Sequence, residues 1–162
     1  MTQFFGKYRG KVADNKDPQK LGRIKVRVPS VLGDDTDSWA MPCVPYAGKK
    51  VGLFALPPKD SNVWVEFEGG DPDHPIWSGC FWGKDEVPAE PAEEKVKILK
   101  TDAITLTLDD SKGFTLEVGP PVSSTPLTLV FNSSGIEIKN SSSSIKMDQM
   151  KVTVNNGALE VM

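Results

Sequence analysis

Residues 96–162 repeat a single pattern, in which apolar side chains occupy every second position of short segments separated by turn-forming residues. Alternation with a period of two is typical of a β-strand with one apolar and one polar face. Seven segments recur about every 8 to 11 residues, a quasi-repeat typical of stacked β architectures. The residues with this spacing are Ile104, Leu106, Leu108, Phe114, Leu116, Val118, Leu127, Leu129, Phe131, Ile136, Ile138, Ile145, Met147, Val152, Val154, Leu159 and Val161.

The predicted tail is too thin to form a globular core by itself. Each strand offers few inward apolar side chains, and so small a domain buries too little surface to be stable alone. When three copies wind about one axis, these side chains meet in narrow layers, and ladder hydrogen bonds and strand edges are shared between copies. The sequence thus predicts an obligate intertwined oligomer. The residues predicted to pack along its axis are Ile104, Leu106, Leu108, Leu116, Val118, Leu127, Leu129, Ile136, Ile138, Ile145, Met147, Val152 and Val154.

The first half of the chain is interrupted too often by glycine and proline to hold a long helix. Residues 22–28 and 63–68 alternate strictly between apolar and polar side chains, and residues 69–75 supply a turn. About five short strands in some 80 residues suit a small closed barrel, so we predict an OB-like fold. The predicted strands are 7–13, 22–28, 38–44, 63–68 and 76–81.

Residues 85–94 contain prolines, alanines and acidic residues without apolar periodicity, which is typical of a linker. After this segment arginine and tryptophan disappear, whereas serine and threonine become frequent. We therefore predict an all-β chain with an OB-fold domain at 1–84, a linker at 85–95 and an oligomeric β-structure at 96–162.

Composition and charge narrow the classes of function. No apolar run approaches the roughly 20 residues of a membrane-spanning helix, and we expect no secretory signal and assembly in a cytoplasm. The net charge of -3 and pI near 5.2 argue against a sequence-independent nucleic-acid binder. Cys43 and Cys80 lack a CxxC pair, so thiolate metal binding is not expected. Buried free thiols are the default interpretation of both, and a disulfide between them stays open.

The titratable residues do not predict a catalytic, cofactor or metal site. His74 lies in a turn beside Asp71 and Asp73, but no nucleophile motif accompanies it. Glu66 and Glu68 share one strand face without a substrate cleft, so a solvated face is the better interpretation. The acidic runs at 34–37 and 109–110 lack the glycine and glutamate spacing of a calcium loop. We predict no enzyme activity.

One basic strand face, formed by Arg23, Lys25 and Arg27, remains as a candidate contact surface. OB barrels often bind single-stranded nucleic acid through cationic grooves with stacking aromatics, but this face is expected to lack aromatic neighbours, and Trp64 lies on another strand. Contact with an acidic surface of a neighbouring subunit is the favoured role. The remaining large aromatics, Trp39, Trp77, Phe81 and Trp82, are assigned to packing.

Four blocks in sequence order resemble the central spike of contractile injection machines, a family that includes phage baseplate assembly protein V, the phage tail spike and Vgr-type secretion spikes. The resemblance covers essentially the whole chain. It implies an OB-fold collar followed by a trimeric, triple-stranded β-helix that forms a membrane-piercing needle, with a hub protein on the collar at Arg23, Lys25 and Arg27. The blocks are residues 5–12 (FGKYRGKV), 21–29 (LGRIKVRVP), 39–48 (WAMPCVPYAG) and 63–79 (VWVEFEGGDPDHPIWSG).

Departures from the family pattern refine this expectation. The ten residues 85–94 stand where some spikes insert a lysozyme domain, so no hydrolase is expected, and a single histidine rules against a His-x-His iron tip. The resemblance implies a PAAR-type tip protein on the apolar end at Leu159, Val161 and Met162. It also implies transient contact with a target membrane and a location in a virion tail baseplate or a phage-tail-like particle.

Two functions from other classes stay open. Triple β-helices also occur in receptor-binding fibres, although such a fibre is expected to carry a distinct distal binding domain. An OB-fold nucleic-acid binder would retain single-stranded DNA in a salt-dependent way. The sequence does not distinguish a phage tail from a bacteriocin or an extracellular injection system.

Overall fold

The computed structural model describes residues 2–161, except for the side chain of Glu160. Within that range the chain forms two compact units that meet in sequence between Glu86 and Val87. Among the described residues, no helix has the length and apolar character needed to cross a membrane.

The first unit contains a five-stranded closed barrel. Its strands follow the order β1, β2, β3, β7, β6; β3 and β7 pair in parallel, and all the other neighbours are antiparallel. This confirms the five predicted strands and the OB-like barrel. The elements are β1 (Tyr8–Asp14), β2 (Ile24–Arg27), α1 (Pro29–Leu32), β3 (Asp37–Pro42), β4 (Ala47–Gly48), β5 (Val51–Gly52), β6 (Asn62–Phe67), a 3₁₀ turn at Glu68–Gly70 and β7 (Pro75–Cys80).

The barrel encloses a compact apolar core because its strands alternate as predicted. Gly10 on β1 is also required there, since a Cβ at this position would lie 3.0 Å from the carbonyl oxygen of Arg27 and 3.1 Å from a methyl group of Val65. The buried apolar residues are Val12, Ile24, Val26, Val28, Ala40, Val63, Val65, Phe67 and Trp77.

The second unit is a single eight-stranded antiparallel sheet within residues 87–161, in which each strand pairs with the next along the chain. All seven predicted strands are present, and β8 precedes them. The strands are β8 (Val96–Lys100), β9 (Ile104–Asp109), β10 (Gly113–Val118), β11 (Leu127–Asn132), β12 (Gly135–Asn140), β13 (Ser143–Met147), β14 (Val152–Val154) and β15 (Leu159–Val161), with a 3₁₀ turn at Asn155–Gly157.

One expectation about this sheet is wrong. The ladder hydrogen bonds were expected to be shared between copies, but consecutive strands make them within one chain, and β9 to β14 are paired on both edges. The reason is that six of the seven connections have only two to four residues, which lets a strand fold back directly on the one before it; the connection at 119–126 is longer. The described sheet therefore leaves only β8 and β15 as edge strands.

Three turns along one side of the sheet contain the same local side-chain-to-backbone hydrogen bond. The side chains of Asp109, Asn132 and Asp148 accept hydrogen bonds from the backbone N–H groups two residues further on, at 2.8 Å in each case. Such side-chain caps stabilise turns in place of backbone hydrogen bonds. These N–H groups also lower the pKa of the Asp109 and Asp148 carboxyls below its usual value.

The prediction that both cysteines are buried is wrong. Cys43 and Cys80 are free, as expected, but both are exposed. Cys43 directly follows the last residue of β3, and Cys80 is the last residue of β7. Both side chains thus lie where a strand leaves the barrel, beyond the layers that form the core.

Candidate functional site: the apolar face of the C-terminal sheet

The strand register aligns the alternating apolar side chains into rows that cross the C-terminal sheet. Cross-strand partners, and residues two apart on one strand, lie on the same side of a sheet, so the rows share one face. We call this surface the apolar face. Its long row is Leu99, Leu106, Leu116, Leu129, Ile138, Ile145, Val154 and Leu159; its second row is Leu108, Phe114, Phe131, Ile136, Met147, Val152 and Val161; its short row is Ile104, Val118 and Leu127.

The structure places all thirteen residues predicted to pack along the axis on this single face. Leu159 and Val161, predicted as tip contacts, continue the same rows on β15, whereas Met162 lies outside the described residues. Phe114 and Phe131 had the correct spacing but were left out of the predicted axis set. They form an edge-to-face pair with ring centroids 5.4 Å apart.

Leu99 was missed because strand β8 lacks alternation. The register places Leu99 on the apolar face, opposite Leu106, whereas Val96 and Ile98 belong to the other face. Apolar residues on both sides of a strand give no period-two signal. The available signal was the short apolar run at 96–99, which by itself does not distinguish a strand from a helix.

None of the described residues of the apolar face is buried within one chain. Leu99 is 67% exposed, Leu159 58% and Ile138 54%, and every residue of the buried core belongs to the barrel. Eight strands span seven spacings of about 4.8 Å, so this face is roughly 34 Å long. A continuous apolar surface of that length exceeds what monomeric proteins usually expose, which marks it as a surface for association.

The opposite face of the sheet is suited to contact with water. Thr105, Thr107 and Thr115 lie on it, and Glu137 stands directly opposite Lys146. Val96, Ile98 and Val130 are its apolar exceptions. Only one face therefore requires a cover, and a second packed layer is the usual way in which a one-sided sheet becomes stable.

The twist of the sheet limits what that cover can be. Neighbouring strands of β-sheets rotate on average by about 20–25° in a fixed sense, which would accumulate to about 140–175° over seven steps. A flat or untwisted partner could not follow the apolar face along its length. Sheets of the same sequence have the same twist, so copies of this chain can remain in contact while winding about a common axis.

The basic face of β2 is largely neutralised within the barrel. Arg23 forms an ion pair with Asp17 at 2.8 Å, and Arg27 pairs with Asp37 at 2.9 Å. Lys25 makes no ion pair or side-chain hydrogen bond among the described residues. The expectation that this face lacks aromatic neighbours is wrong, because Trp39 stands opposite Lys25, and the Arg23 guanidinium lies 5.4 Å from the centroid of that indole ring.

Asp17 organises the loop that connects β1 to β2. Its side chain is only 3% exposed and accepts hydrogen bonds from the backbone N–H groups of Gln19, Leu21 and Arg23. The Arg23 guanidinium adds two more, at 2.8 and 3.1 Å. The Arg23 side chain, followed by these N–H groups, holds the pKa of Asp17 well below its usual value near 3.8.

Because the pKa of Asp17 is lowered in the folded state, the stability of the barrel depends on pH in the acidic range. Because the unfolded chain binds the proton more readily, the stabilisation is complete above the unfolded pKa near 3.8 and is lost as the pH falls through the lower folded pKa. We expect Asp17→Asn to lower the Tm of the barrel at pH 7, and the deficit to shrink between pH 5 and pH 2 in calorimetric scans. Asp34→Asn, in an exposed loop, serves as the control, and a deficit independent of pH would contradict this account.

The residues weighed for catalysis lie on exposed surface. His74 Nδ1 is 3.1 Å from Asp71 Oδ2, but the two side chains are 66% and 44% exposed in the turn before β7. Glu66 forms an ion pair with Lys7 at 3.1 Å, which lowers the pKa of the Glu66 carboxyl. Within residues 2–161, no group of three or more His, Cys, Asp or Glu side chains has metal-binding geometry.

The large aromatics of the barrel have different environments. Trp77 is buried in the core, and its indole N–H donates to the carbonyl oxygen of Gly22 at 3.4 Å. Trp82 is 64% exposed. Phe81 packs against Trp64, with ring centroids 4.6 Å apart, on the outside of the barrel.

Comparison with known proteins gives two family matches and several partial relatives. Residues 8–82 match the model of the type VI secretion system/phage-baseplate injector OB domain, and residues 95–160 match that of the phage baseplate V C-terminal trimerisation domain. Neither description names an enzyme domain. The second match covers nearly all of the strands that carry the apolar face.

The relatives are much longer than this chain. The sequence is 31% identical over 107 residues, 58% of the chain, to type VI secretion system spike protein VgrG5 of Pseudomonas aeruginosa, and the match covers 14% of that protein. It is 31% identical over 88 residues, 51% of the chain, to spike protein VgrG3 of Vibrio cholerae, covering 9% of it. The actin cross-linking toxin VgrG1 of Vibrio cholerae is 32% identical over 87 residues, 50% of the chain and 8% of the toxin.

Proposed function

Because the chain belongs to the family of phage baseplate V and VgrG spike proteins, we propose that it is a non-enzymatic, membrane-puncturing central spike of a contractile tail or injection system. The observation that supports this most directly is the apolar face, which runs across all eight strands and is buried nowhere in one chain. It lies in the segment that matches a trimerisation domain.

Three copies would bring their apolar faces together around one axis. Each row then becomes a column of apolar layers inside a three-sided rod, and the threonine-rich and charged faces remain in water. Because the sheets twist together, one chain cannot leave the rod without exposing the apolar faces of the other two. Opening one layer also disturbs the layers above and below it, so the rod transmits an axial load without local unfolding.

The two ends of such a spike have different partners in this proposal. The barrel is seated on a baseplate hub protein, and a PAAR-type tip protein covers the last strand, β15, where Leu159 and Val161 are each 58% exposed. The assembled spike touches the target membrane only when the machine fires. The protein is made in the bacterial cytoplasm and becomes part of a phage baseplate or a related secretion machine.

The first test is the mass of the protein in solution. Light scattering of the purified chain should give three times the 17.7 kDa mass of one chain, at micromolar concentration and without a partner. The reason is that the apolar face must be covered before the second unit is stable. A folded monomer with an intact sheet by circular dichroism would overturn the proposal.

A further inference from the structure

A cationic groove on the outside of the barrel has no role in the puncturing rod. At its centre, Arg9 on β1 lies over two aromatic rings that pack against each other at a tilt of 38°. Its guanidinium carbon is 5.1 Å from the Trp64 ring centroid and 4.8 Å from that of Phe81. Cation–π contacts on both rings hold the guanidinium in one place while its side chain stays exposed.

Arg9 differs from the other two arginines of the barrel in having no acidic partner. Arg23 is committed to Asp17 and Arg27 to Asp37, whereas Arg9 makes no ion pair or hydrogen bond through its side chain with any described residue. Its planar N–H donors are thus held in position and available. A guanidinium of this kind fits a carboxylate with two parallel hydrogen bonds.

The surface around Arg9 is a groove of about 270 Å³. Lys11 and Arg27 line it beside Pro29, Asn62 and Phe81. Among the described residues, the Lys11 ammonium makes a single hydrogen bond, of 3.3 Å to the carbonyl oxygen of Asp60. The groove therefore offers a second available cation along the same strand and an apolar wall, a combination that suits an extended chain with spaced acidic side chains.

The charge of the whole barrel favours a short acidic peptide over a nucleic acid. Residues 1–86 contain twelve acidic and twelve basic side chains, so the barrel has no net positive charge. Binding of a polyanionic strand usually depends on neutralising many phosphates across a basic surface. One or two carboxylates can be bound without such a surface.

We propose that this groove binds an extended acidic segment of the hub protein, with Arg9 donating to a carboxylate and Phe81 contacting the neighbouring apolar side chain. This rests on the proposed seating of the barrel on a hub and names its contact surface. It centres the contact on Arg9 and Lys11 of β1 rather than on Arg23 and Arg27, whose charges are already paired, although Arg27 still lines the groove. Lys25 is too far along the neighbouring strand to line the groove.

The test uses the full-length protein and a defined probe, a capped peptide of five alternating Glu-Pro pairs. Proline keeps this peptide extended, and the Gln-Pro version of the same length is the uncharged control. In calorimetric titrations we expect saturable binding of the Glu peptide and at least tenfold weaker binding of the Gln peptide. Arg9→Gln should weaken binding of the Glu peptide at least tenfold, whereas Lys25→Gln should change it less than twofold.

Arg9→Lys separates a specific role of the guanidinium from a general loss of folding. It retains the charge and the contact with the rings but loses the planar pair of donors, so we expect a partial loss of affinity with an unchanged Tm. Equal binding by the original protein and Arg9→Gln, or no saturation by the Glu peptide, would overturn the proposed groove. Tighter binding of an oligothymidylate with the same number of charges would assign the groove to nucleic acid and overturn it as well.

The same samples distinguish this proposal from the proposed function. Light scattering is recorded on each protein before titration. If the protein is a trimer but does not bind the Glu peptide, only the proposed peptide-binding groove is overturned. If the protein is a monomer, the proposed spike function is overturned whether or not the peptide binds.

Discussion

Leu129→Asp is expected to convert the assembled protein into monomers. Leu129 occupies the middle of the long row, between Leu116 and Ile138 on the neighbouring strands. In a trimer the substitution would place three carboxylates in one apolar layer, where each costs several kcal/mol when it is unpaired. Loss of the leucine itself adds about 2–5 kcal/mol per copy. Leu106→Asp, two strands away on the same row, is expected to have the same effect.

Val130→Asp is the matched control for Leu129→Asp. Val130 is the next residue on the same strand and is also apolar, but its register partners, Thr115 and Glu137, place it on the opposite face. A new carboxylate beside Glu137 costs less than about 1 kcal/mol on a solvated face, which is too little to separate the copies. Analytical ultracentrifugation of both variants gives the comparison. A soluble trimer of Leu129→Asp, or equal dissociation of both variants, would show that the apolar face is not the interface.

The face of each C-terminal residue could be predicted from sequence because the side-chain period of a strand is an intrinsic property of the backbone. Once turns separate the strands at regular spacing, alternation alone puts Leu106, Leu129 and Ile138 on one side. The exact cross-strand alignment into rows also depends on turn length. The strands pair within one chain because the turns at 110–112, 133–134 and 141–142 are short. This pairing was not inferred from the sequence.

The groove on the barrel could not be predicted in this way. More than 50 residues of sequence separate Arg9 from Trp64 and Phe81. The three side chains meet only because β1 pairs with β6. Alternation shows that Arg9 and Trp64 point outward, but it does not show which strands become neighbours. For the same reason, Arg23, Lys25 and Arg27 had equal weight in the prediction, although Asp17 and Asp37 neutralise two of them.

Exposure at strand ends was the other source of error. Burial was predicted for Cys43 and Cys80 because free cysteines are usually buried, but each stands at the point where its strand leaves the barrel. Burial in a small barrel is confined to the few central layers of each strand. Strand boundaries are less certain from sequence than strand existence, so residues at the ends are the ones whose burial is predicted least well.

Gly135→Ala is expected to prevent the C-terminal sheet from forming its register. Gly135 begins β12 with φ of +122°, and a Cβ there would overlap the carbonyl oxygen of Met147 on β13. That carbonyl belongs to the backbone and cannot rotate away as a side chain could. The strands must separate or slip, and a one-residue slip would turn Ile136 and Ile138 to the polar face. Backbone strain and lost packing of about 2–4 kcal/mol per chain would be present three times in a trimer.

Gly79→Ala is the control that separates the steric overlap of a Cβ at position 135 from the effect of a positive φ. Gly79 has a similar φ of +127°, but a Cβ there would meet no atom within 4 Å. Both variants carry the strain of a positive φ, and only Gly135→Ala adds the collision with Met147. We expect Gly135→Ala to lose the trimer, or to unfold at a much lower temperature, while Gly79→Ala keeps the trimer with a modestly lower Tm. Equal losses in calorimetry and light scattering would assign the effect to φ alone and remove the argument that β12 and β13 need this glycine to pack closely.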